Sequence, residues 1–327
     1  MKVRIEFLEK LCVDKLVSAG LSHADAEMIF FHFLEEELLG KHSHGFIRMS
    51  SVLKTIRNFE GKSNVVQKEK SVFATQIIAE NTVGLVAAHK AAECAIKKAK
   101  DNGFSIVSCI GYQGTTGALG YYGRLLVSKD LIGIITCSSE YAVAPWGGKE
   151  AILGTNPIAI AIPNEDSPII SDFSTAAMTY GELMLASKEG RKIPYGVVLD
   201  SEGKPSHNPD DANNGCQLPM AGHKGYALGL AIEILAGLFI GAKSGNKAVI
   251  GSDGILIIAF EPTVFISEEQ YLSNLNALIE EIKNSSLAHN STGIRLPGEN
   301  CIQKISIGKQ AGVCEIPDVV YQELLNL

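Results

Sequence analysis

A histidine and an arginine stand four residues apart in the segment Ser43-His44-Gly45-Phe46-Ile47-Arg48. Four residues is about one helical turn, so in a helical backbone both side chains project from one face. An imidazole, with an ordinary pKa of about 6.5, can give a proton to a carbonyl oxygen, and a guanidinium can bind a carboxylate through two parallel hydrogen bonds. The pair therefore suits a ketone that carries a carboxylate. Neither side chain supplies reducing electrons, so this chemistry needs a cofactor.

Other interpretations of this segment stay open at the level of residue types. A surface arginine beside a structural histidine at a helix end has the same spacing. His42 lies two residues before His44, and two nearby imidazoles can share a zinc ion. No third ligand is legible close by in the sequence, and the cysteines are scattered, so we expect no metal site.

Length and composition indicate a globular cytoplasmic protein. A chain of 327 residues exceeds what one hydrophobic core usually serves, so we expect two domains or one large α/β body. The seven cysteines form no C-x-x-C pair, and the N-terminal segment lacks the long apolar run of a signal peptide. Charged residues interrupt the apolar segments, so no membrane span is expected. A net charge of −7 argues against nucleic acid or an anionic membrane as a partner.

The periodicity of apolar residues predicts helices mainly in the first hundred residues and a buried sheet in the middle of the chain. Helices are predicted over 5–19, 22–39, 47–59, 84–102, 222–236, 268–283 and 318–325. Strands are predicted over 71–79, 105–109, 132–137, 159–162, 169–172 and 254–260.

Four glycines recur at intervals of three, at Gly111, Gly114, Gly117 and Gly120. This spacing lacks the G-x-G-x-x-G pattern of a Rossmann domain, and no P-loop lysine follows it. We therefore predict no Rossmann domain. The spacing favours small residues along one side of a helix that packs tightly on a sheet over direct contact with phosphate.

The helix predicted over 222–236 has a polar entry that includes Lys224. Unpaired amides and the helix dipole favour an anion at such an N-terminus, and the lysine adds a full positive charge. A core helix with a solvated lysine fits the same pattern equally well.

Five short motifs, taken together and in order, resemble the malate/L-lactate dehydrogenase type-2 family, which includes ureidoglycolate and sulfolactate dehydrogenases and 2,3-diketo-L-gulonate reductase. The resemblance covers nearly the whole chain. The motifs are Ser43-His44-Gly45-x-x-Arg48, Gly154-Thr155-Asn156-Pro157, Asp172-Phe173-Ser174-Thr175, Gly222-His223-Lys224-Gly225-Tyr226 and Leu296-Pro297-Gly298-Glu299.

The resemblance implies an α/β fold with a non-Rossmann nicotinamide-binding domain built on a mixed sheet, plus a helix-rich domain built from both chain ends. We expect the helix-rich domain to comprise residues 1–110 with 270–327, and the cofactor-binding domain to comprise residues 111–269. The implied activity is transfer of a hydride between NAD or NADP and a small 2-oxo or 2-hydroxy carboxylic acid. The family also implies a homodimer.

The same resemblance implies roles for individual residues. His44 falls on the proton donor and Arg48 on the carboxylate clamp. Thr155 and Asn156 would contact the substrate or the nicotinamide amide, although an Asn-Pro turn in a buried connection explains them as well. The residues implied to bind the cofactor are Ile170, Ser171, Asp172, Phe173, Ser174, Thr175, Ala176, His223, Lys224, Gly298, Glu299 and Asn300.

Asp172 ends an apolar run, where an ionised carboxylate is costly unless it is paired. We expect it to accept a hydrogen bond from His44 or from backbone amides. A carboxylate beside an imidazolium raises the histidine pKa, which would keep His44 protonated for carbonyl reduction.

One departure from the family concerns a second histidine that many members carry before the glycine-rich turn. Aligning the segment 117–122 with that stretch places Thr115 at its position. Because threonine cannot carry a proton charge, we expect the substrate preference to differ. Reduction of a cyclic imino acid and a nucleotide-binding homologue without turnover are the alternatives. The sequence leaves open NAD against NADP, the direction of reaction and the substrate tail.

Overall fold

The computed structural model describes residues 1–165, 167–244 and 253–327, which form ten α-helices and twelve strands. The predicted cofactor-binding domain 111–269 includes residues 166 and 245–252, which lie outside the described residues. The helices are α1 (Ile5–Ser18), α2 (His23–Leu38), α3 (Met49–Arg57), α4 (Gly84–Asn102), α5 (Leu119–Val127), α6 (Tyr180–Lys188), α7 (His223–Ile232), α8 (Glu268–Asn284), α9 (Cys301–Ala311) and α10 (Asp318–Asn326). The strands are β1 (Lys2–Arg4), β2 (Asn64–Glu69), β3 (Ala74–Glu80), β4 (Phe104–Ile110), β5 (Ile132–Cys137), β6 (Ile158–Ile162), β7 (Ile169–Phe173), β8 (Val198–Leu199), β9 (Pro205–Ser206), β10 (Cys216–Gln217), β11 (Gly254–Phe260) and β12 (Val313–Glu315).

The largest sheet has seven strands in the order β2-β3-β4-β11-β5-β6-β7. Strands β3 and β4 are parallel, whereas the other neighbours are antiparallel. A Rossmann sheet is mostly parallel, so the predicted mixed, non-Rossmann α/β fold is confirmed. Alanine-rich α4 and the apolar side of α5 cover one face of this sheet, where buried Tyr122 and Leu126 pack against strand residues such as Ile135.

The two ends of the chain lie together, in line with what the family resemblance implied. Strand β1 pairs with β12 in an antiparallel ribbon, with Val3 opposite Cys314. Buried residues of α1, α2, α3 and α10 share one hydrophobic cluster, which includes Leu16, Phe33 and Val320. This cluster includes Phe46 and Ile47 of the segment that carries His44 and Arg48.

The helix caps explain where several predicted helices begin and end. The Ser22 side chain accepts a hydrogen bond from the Asp25 amide at 3.1 Å and caps α2. Gly103 ends α4 in the left-handed conformation, with φ of 77°, which costs little only for glycine.

Strand pairing places residues 64–110 differently from the predicted division of the chain. Strands β2, β3 and β4 join the same sheet as β5 and β11, so a boundary at residue 110 cuts through one continuous sheet. The pattern of apolar residues reports the type of an element but not which strands pair with each other, and the domain division stays a prediction.

The glycines spaced by three lie mostly before a helix rather than along one. Gly111, Gly114 and Gly117 have φ values of 83°, 73° and 74°, which an α-helix does not allow. Gly120 is in α5, and a Cβ there would come within 2.8 Å of an Asp172 carboxylate oxygen. The predicted close helix-to-sheet contact is therefore correct for Gly120 and wrong for the three glycines before it.

Helix α7 continues through a π-helical segment, Glu233–Gly237, and a 3-10 turn, Leu238–Ile240. By length and composition, the span His223–Ile240 could cross a membrane, contrary to the sequence expectation, although a single such helix is weak evidence. One side of it, including Ile232, Ala236 and Ile240, packs against Leu256 of β11. It is therefore a helix of the sheet's second face.

Candidate active site

The main cleft has a volume of about 650 Å³, within the range of small-molecule and cofactor sites, about 300–1,000 Å³. It lies between the segment that carries His44, the loop before α5, the ends of β5 and β7, and the start of α6. Its lining comes from residues 40–44, Arg48, residues 114–119, residues 137–139, Thr155, Pro157, residues 172–174, residues 176–180, Glu182, Leu185, Arg191 and Asp253.

The segment with His44 and Arg48 is two 3-10 turns, His42–His44 and Phe46–Arg48, joined at Gly45. It is not the continuous helix that would place both side chains on one face, yet both reach the cleft. Buried Glu37 holds the turn by accepting a hydrogen bond from the Phe46 amide at 2.9 Å and by pairing with His42. The His42 imidazole is thus occupied by a carboxylate.

His44 is oriented by its neighbour and is neutral in the free protein. Its Nδ1 lies 3.0 Å from the Ser43 hydroxyl oxygen. Burial and the adjacent Arg48 guanidinium lower the pKa of His44 to about 4, while Asp172 acts to raise it. At neutral pH the imidazole is therefore in its proton-accepting form.

Arg48 presents a guanidinium that the protein does not neutralise. Its Nε donates to the Ser43 carbonyl oxygen at 2.9 Å, and among the described residues it forms no ion pair. Burial lowers the pKa of Arg48, yet an arginine stays charged in proteins. The start of α6 comes close because residue 181 is glycine: a Cβ there would lie 2.6 Å from Nη2 of Arg48.

Asp172 borders the cleft, but its partner differs from the expected one. Its Oδ2 accepts a hydrogen bond from the Lys41 ammonium at 2.9 Å, and its side chain is 12% exposed. The expected bond to His44 or to backbone amides is therefore wrong, because the long Lys41 side chain reaches the carboxylate. Asp172 still raises the pKa of His44 through space, but burial and nearby cations outweigh it.

Thr155 and Asn156 were expected to contact the substrate or the nicotinamide amide, but only Thr155 lines the cleft. Thr155 lies on the cleft, with its hydroxyl 3.1 Å from that of Ser139. Asn156 is fully buried, and its amide donates to the Gly229 carbonyl and to Glu233 at 2.9 and 2.7 Å. The geometry of Asn156 fits the alternative of an Asn-Pro turn in a buried connection, because its side chain links this turn to α7 and its π-helical continuation.

The strand and loop predicted to bind a cofactor form a wall of the cleft. Asp172, Phe173, Ser174 and Ala176 line the main cavity. A second cavity of about 460 Å³ adjoins it and shares Lys41, Asp172 and Phe173; its other lining residues are Ile170, Ser171, Pro297 and Gly298.

The remaining predicted cofactor residues divide into near and distant groups. Gly298 packs against Ile170, next to a Glu299 carboxylate that pairs with Lys283. Asn300 is exposed at the start of α9. Thr175 is buried, with its hydroxyl donating to the Thr155 carbonyl at 3.0 Å.

His223 and Lys224 are exposed at the start of α7 and do not line the cleft. His223 lies instead beside Trp146, with ring centroids 6.4 Å apart. The structure does not bring this helix entry to His44.

Several cleft residues were not expected from the sequence. Lys41 lies three residues before His44, so a cation next to the pair was a readable signal. Asp253, whose pKa burial raises to about 7, and Tyr180, whose ring lies 6.0 Å from the Arg48 guanidinium, carry no local signal. In the described residues no group of three histidine, cysteine or acidic side chains could hold a metal.

The comparisons with known proteins agree over nearly the whole chain. Residues 3–325 match the family model described as malate/L-lactate dehydrogenase. The L-sulfolactate dehydrogenase of Methanocaldococcus jannaschii is 35% identical over 100% of this chain and 96% of its own length. The malate/(S)-sulfolactate dehydrogenase of Methanothermus fervidus is 34% identical over 93% and 91%, respectively.

Solved structures show the same similarity in three dimensions. The sulfolactate dehydrogenase from Methanocaldococcus jannaschii superposes with a TM-score of 0.85 at 35% identity, covering 99% of this chain and 95% of that one. Other relatives carry names that specify NAD(+), in the ureidoglycolate dehydrogenase of Escherichia coli at 31% identity, and NADP(+), in the (2R)-3-sulfolactate dehydrogenase of Chromohalobacter salexigens at 31%. The Δ(1)-pyrroline-2-carboxylate reductase 1 of Burkholderia ambifaria is 28% identical.

Proposed function

Because the chain belongs to the malate/L-lactate dehydrogenase family, we propose that it is a nicotinamide-dependent oxidoreductase that interconverts a small 2-oxo acid and the matching 2-hydroxy acid. The observation that carries the proposal is one cleft lined by both His44 and Arg48, and the guanidinium forms no ion pair with any described residue. The relatives named for malate, sulfolactate and ureidoglycolate support this substrate class.

Arg48 binds and orients the substrate. Its two terminal nitrogens match the two oxygens of a carboxylate, while Nε is held by the Ser43 carbonyl. Binding there places the adjacent carbonyl carbon at a fixed position, which lowers the entropic cost of reaction.

His44 moves the proton at the substrate oxygen. Since Nδ1 faces the Ser43 hydroxyl, Nε2 is the nitrogen for the substrate. In oxidation the imidazole, which its low pKa keeps neutral, takes the hydroxyl proton. In reduction the bound carboxylate offsets the charge of Arg48, so the pKa of His44 rises and the imidazolium can donate its proton to the carbonyl oxygen.

The two adjoining cavities fit a nicotinamide nucleotide, which supplies or accepts the hydride when bound. Asp172, Phe173 and Ser174 would hold it along the wall they share. Gly298 would lie beside it, since this residue lines the second cavity. His223 and Lys224 would contact it only if the helix entry meets the nucleotide outside the cleft.

A panel of 2-oxo acids with NADH and with NADPH tests the proposal, followed as loss of reduced-nicotinamide absorbance. We expect turnover with at least one 2-oxo acid, and the His44→Ala variant should lose roughly 100- to 10,000-fold in kcat. Turnover restricted to Δ1-pyrroline-2-carboxylate would favour an imino acid reductase. Absence of turnover with every compound and both cofactors would favour a nucleotide-binding homologue without activity.

The choice between the two cofactors has a direct test in thermal unfolding. A cofactor that binds the folded protein raises its unfolding temperature in proportion to the logarithm of concentration over Kd. We expect one of NADH and NADPH to give the larger shift at equal concentration.

The quaternary structure that we propose is a homodimer, working in the cytoplasm with all seven cysteines as free thiols. The outer side of the helix that follows His223 exposes an apolar stripe, here called the α7 face. Its residues are Leu230, Ile234, Leu235, Leu238 and Phe239. Exposed apolar patches of this kind mark protein interfaces, and a second copy would bury this one.

A further inference from the structure

One wall of the cleft is a loop that must be held in place from behind. Residues 114–119, here called the cleft loop, all line the main cavity. Two of its glycines, Gly114 and Gly117, have positive φ angles. The loop therefore follows a path that regular hydrogen bonding of a helix or strand does not support.

His32 of α2 touches this loop from the side away from the cleft. It is fully buried, and its Nε2 accepts a hydrogen bond from the Ala118 amide at 3.0 Å. A Cβ at Gly117 would overlap Nε2, so glycine at that position permits the contact. The imidazole also stacks on Tyr121, with ring centroids 4.3 Å apart.

Other described anchors of the loop come from the loop itself, from α5 and from β5, where the Thr116 hydroxyl lies 3.6 Å from the Cys137 sulfur. The Thr115 hydroxyl accepts from the Gly117 amide at 3.0 Å, and the Tyr122 hydroxyl donates to the Thr116 carbonyl at 2.6 Å. Among the hydrogen bonds of the described residues, the one to His32 ties the loop to α2.

The acceptor role requires a neutral imidazole with its proton on Nδ1. Burial, followed by the nearby Arg124, holds the pKa of His32 well below its usual range. The Nδ1 atom has no partner among the described residues, so its N–H is desolvated without compensation. The polar contribution of His32 to the fold therefore comes through Nε2 and the Ala118 amide.

We propose that His32 is a positioning residue for the active site: by accepting the Ala118 hydrogen bond it fixes the cleft loop, without touching substrate or cofactor. The kinetic part of this inference rests on the proposed function, whereas the effect on the loop does not.

Two substitutions separate the effect of the hydrogen-bond acceptor of His32 from the effect of its side-chain packing. His32→Gln keeps a carbonyl acceptor near the position of Nε2, whereas His32→Leu keeps bulk and removes the acceptor. In the leucine variant we expect amide hydrogen exchange in residues 114–119 to speed up roughly tenfold and kcat/KM to fall roughly tenfold, mainly through kcat. The glutamine variant should recover both to within about threefold of the parent.

A matched control is His89→Leu, since His89 also packs against Tyr121 but makes no bond to the loop. Exchange in residues 114–119 and kcat should stay at parent values. Equal impairment of the glutamine and leucine variants, or unchanged exchange in His32→Leu, would overturn the proposal.

A measurement on the parent protein covers the case in which the variants do not fold. Nitrogen-15 NMR of histidine-labelled protein should show His32 neutral, with Nδ1 protonated and Nε2 bare. A proton on Nε2 would exclude the bond to Ala118. The exchange and NMR results stand even if no substrate is found, so failure of the proposed function is distinguishable from failure of this inference.

Discussion

At the scale of single residues, the chemistry depends on an imbalance of charge around one imidazole. His44 is buried next to Arg48, and both effects favour its neutral form, whereas Asp172 favours the charged form. Lys41 forms an ion pair with Asp172, and its positive charge also lowers the pKa of His44. The balance of these groups decides the pH range over which proton transfer can run in each direction.

Replacing Asp172 by Asn removes the charge that raises the pKa of His44, so this pKa should fall. The folded protein then protonates His44 only at lower pH. The acid limb of kcat/KM for oxidation, expected near pH 4 in the parent, and the alkaline limb of kcat for reduction should both move to lower pH. Steady-state rates across pH measure both limbs.

Lys41→Met is the matched variant, because it removes a positive charge from the same pair. Both limbs should then move to higher pH. Unchanged profiles in both variants would remove Asp172 and Lys41 from the electrostatics of His44.

Side-chain types and a family resemblance were enough to identify His44, Arg48, Thr155 and the 172–176 wall as lining or bordering the cleft. They were not enough to predict the Lys41–Asp172 pair, which joins residues 131 positions apart. They also could not separate Thr155 from Asn156, since adjacent residues in a turn can face opposite sides of the backbone. Tertiary contacts alone decide such partners.

At the scale of elements, α6 shows how a helix places the carboxylate clamp. Thr179 and Glu182 form a capping box that starts this helix. The T-x-x-E pattern was readable in the sequence, although α6 was not among the predicted helices because its apolar pattern is weak. Gly181, at the second helical position, lets the backbone approach Arg48 and Ser43.

Gly181→Ala should therefore disturb the clamp rather than the whole fold. The added methyl would meet Nη2 of Arg48 and the Ser43 carbonyl oxygen, both within 2.6 Å. We expect KM for the 2-oxo acid to rise roughly tenfold or more. Lys188→Ala, on the exposed end of the same helix, should keep the parent KM; an unchanged KM in the alanine variant of Gly181 would contradict the contact.

Long periodic helices and buried strands were predictable because their signal is local. Helix α4 was predicted over the residues it occupies, and β5, β7 and β11 were located to within about one residue. The pairing order of the sheet and the short ribbon of β1 with β12 were not, because each depends on segments far apart in the chain. The positive φ angles of Gly111, Gly114 and Gly117 were also not predicted, because their regular spacing by three favoured a helix.

At the scale of the whole molecule, the α7 face is a stripe of exposed apolar side chains within the described part of the chain. The opposite side of the same helix packs on β11, so the helix is already anchored in the monomer. The outer side nevertheless exposes Leu238 and Phe239 at 58% and 65%. Burying such side chains in a dimer would gain about 25 cal/mol per Å² of apolar area.

Leu238→Glu should convert the proposed dimer to a monomer, because it would put an unpaired charge in the proposed apolar contact. Sedimentation equilibrium would measure the mass. Phe265→Glu is the matched control, since Phe265 is 93% exposed outside this surface and its replacement should leave the dimer intact. A parent protein that sediments as a monomer would contradict the proposed assembly.

In the proposed mechanism, Arg48 binds the carboxylate of the same molecule whose carbonyl oxygen contacts His44. The test uses a 2-oxo acid that the parent protein reduces. It compares kcat/KM for this acid with kcat/KM for the corresponding primary amide, in the parent and in Arg48→Gln. We predict that kcat/KM of the parent is roughly 10- to 100-fold higher for the acid than for the amide. The variant should lose most of this preference, mainly because its kcat/KM for the acid falls. An equal preference for the acid in both proteins would contradict the account.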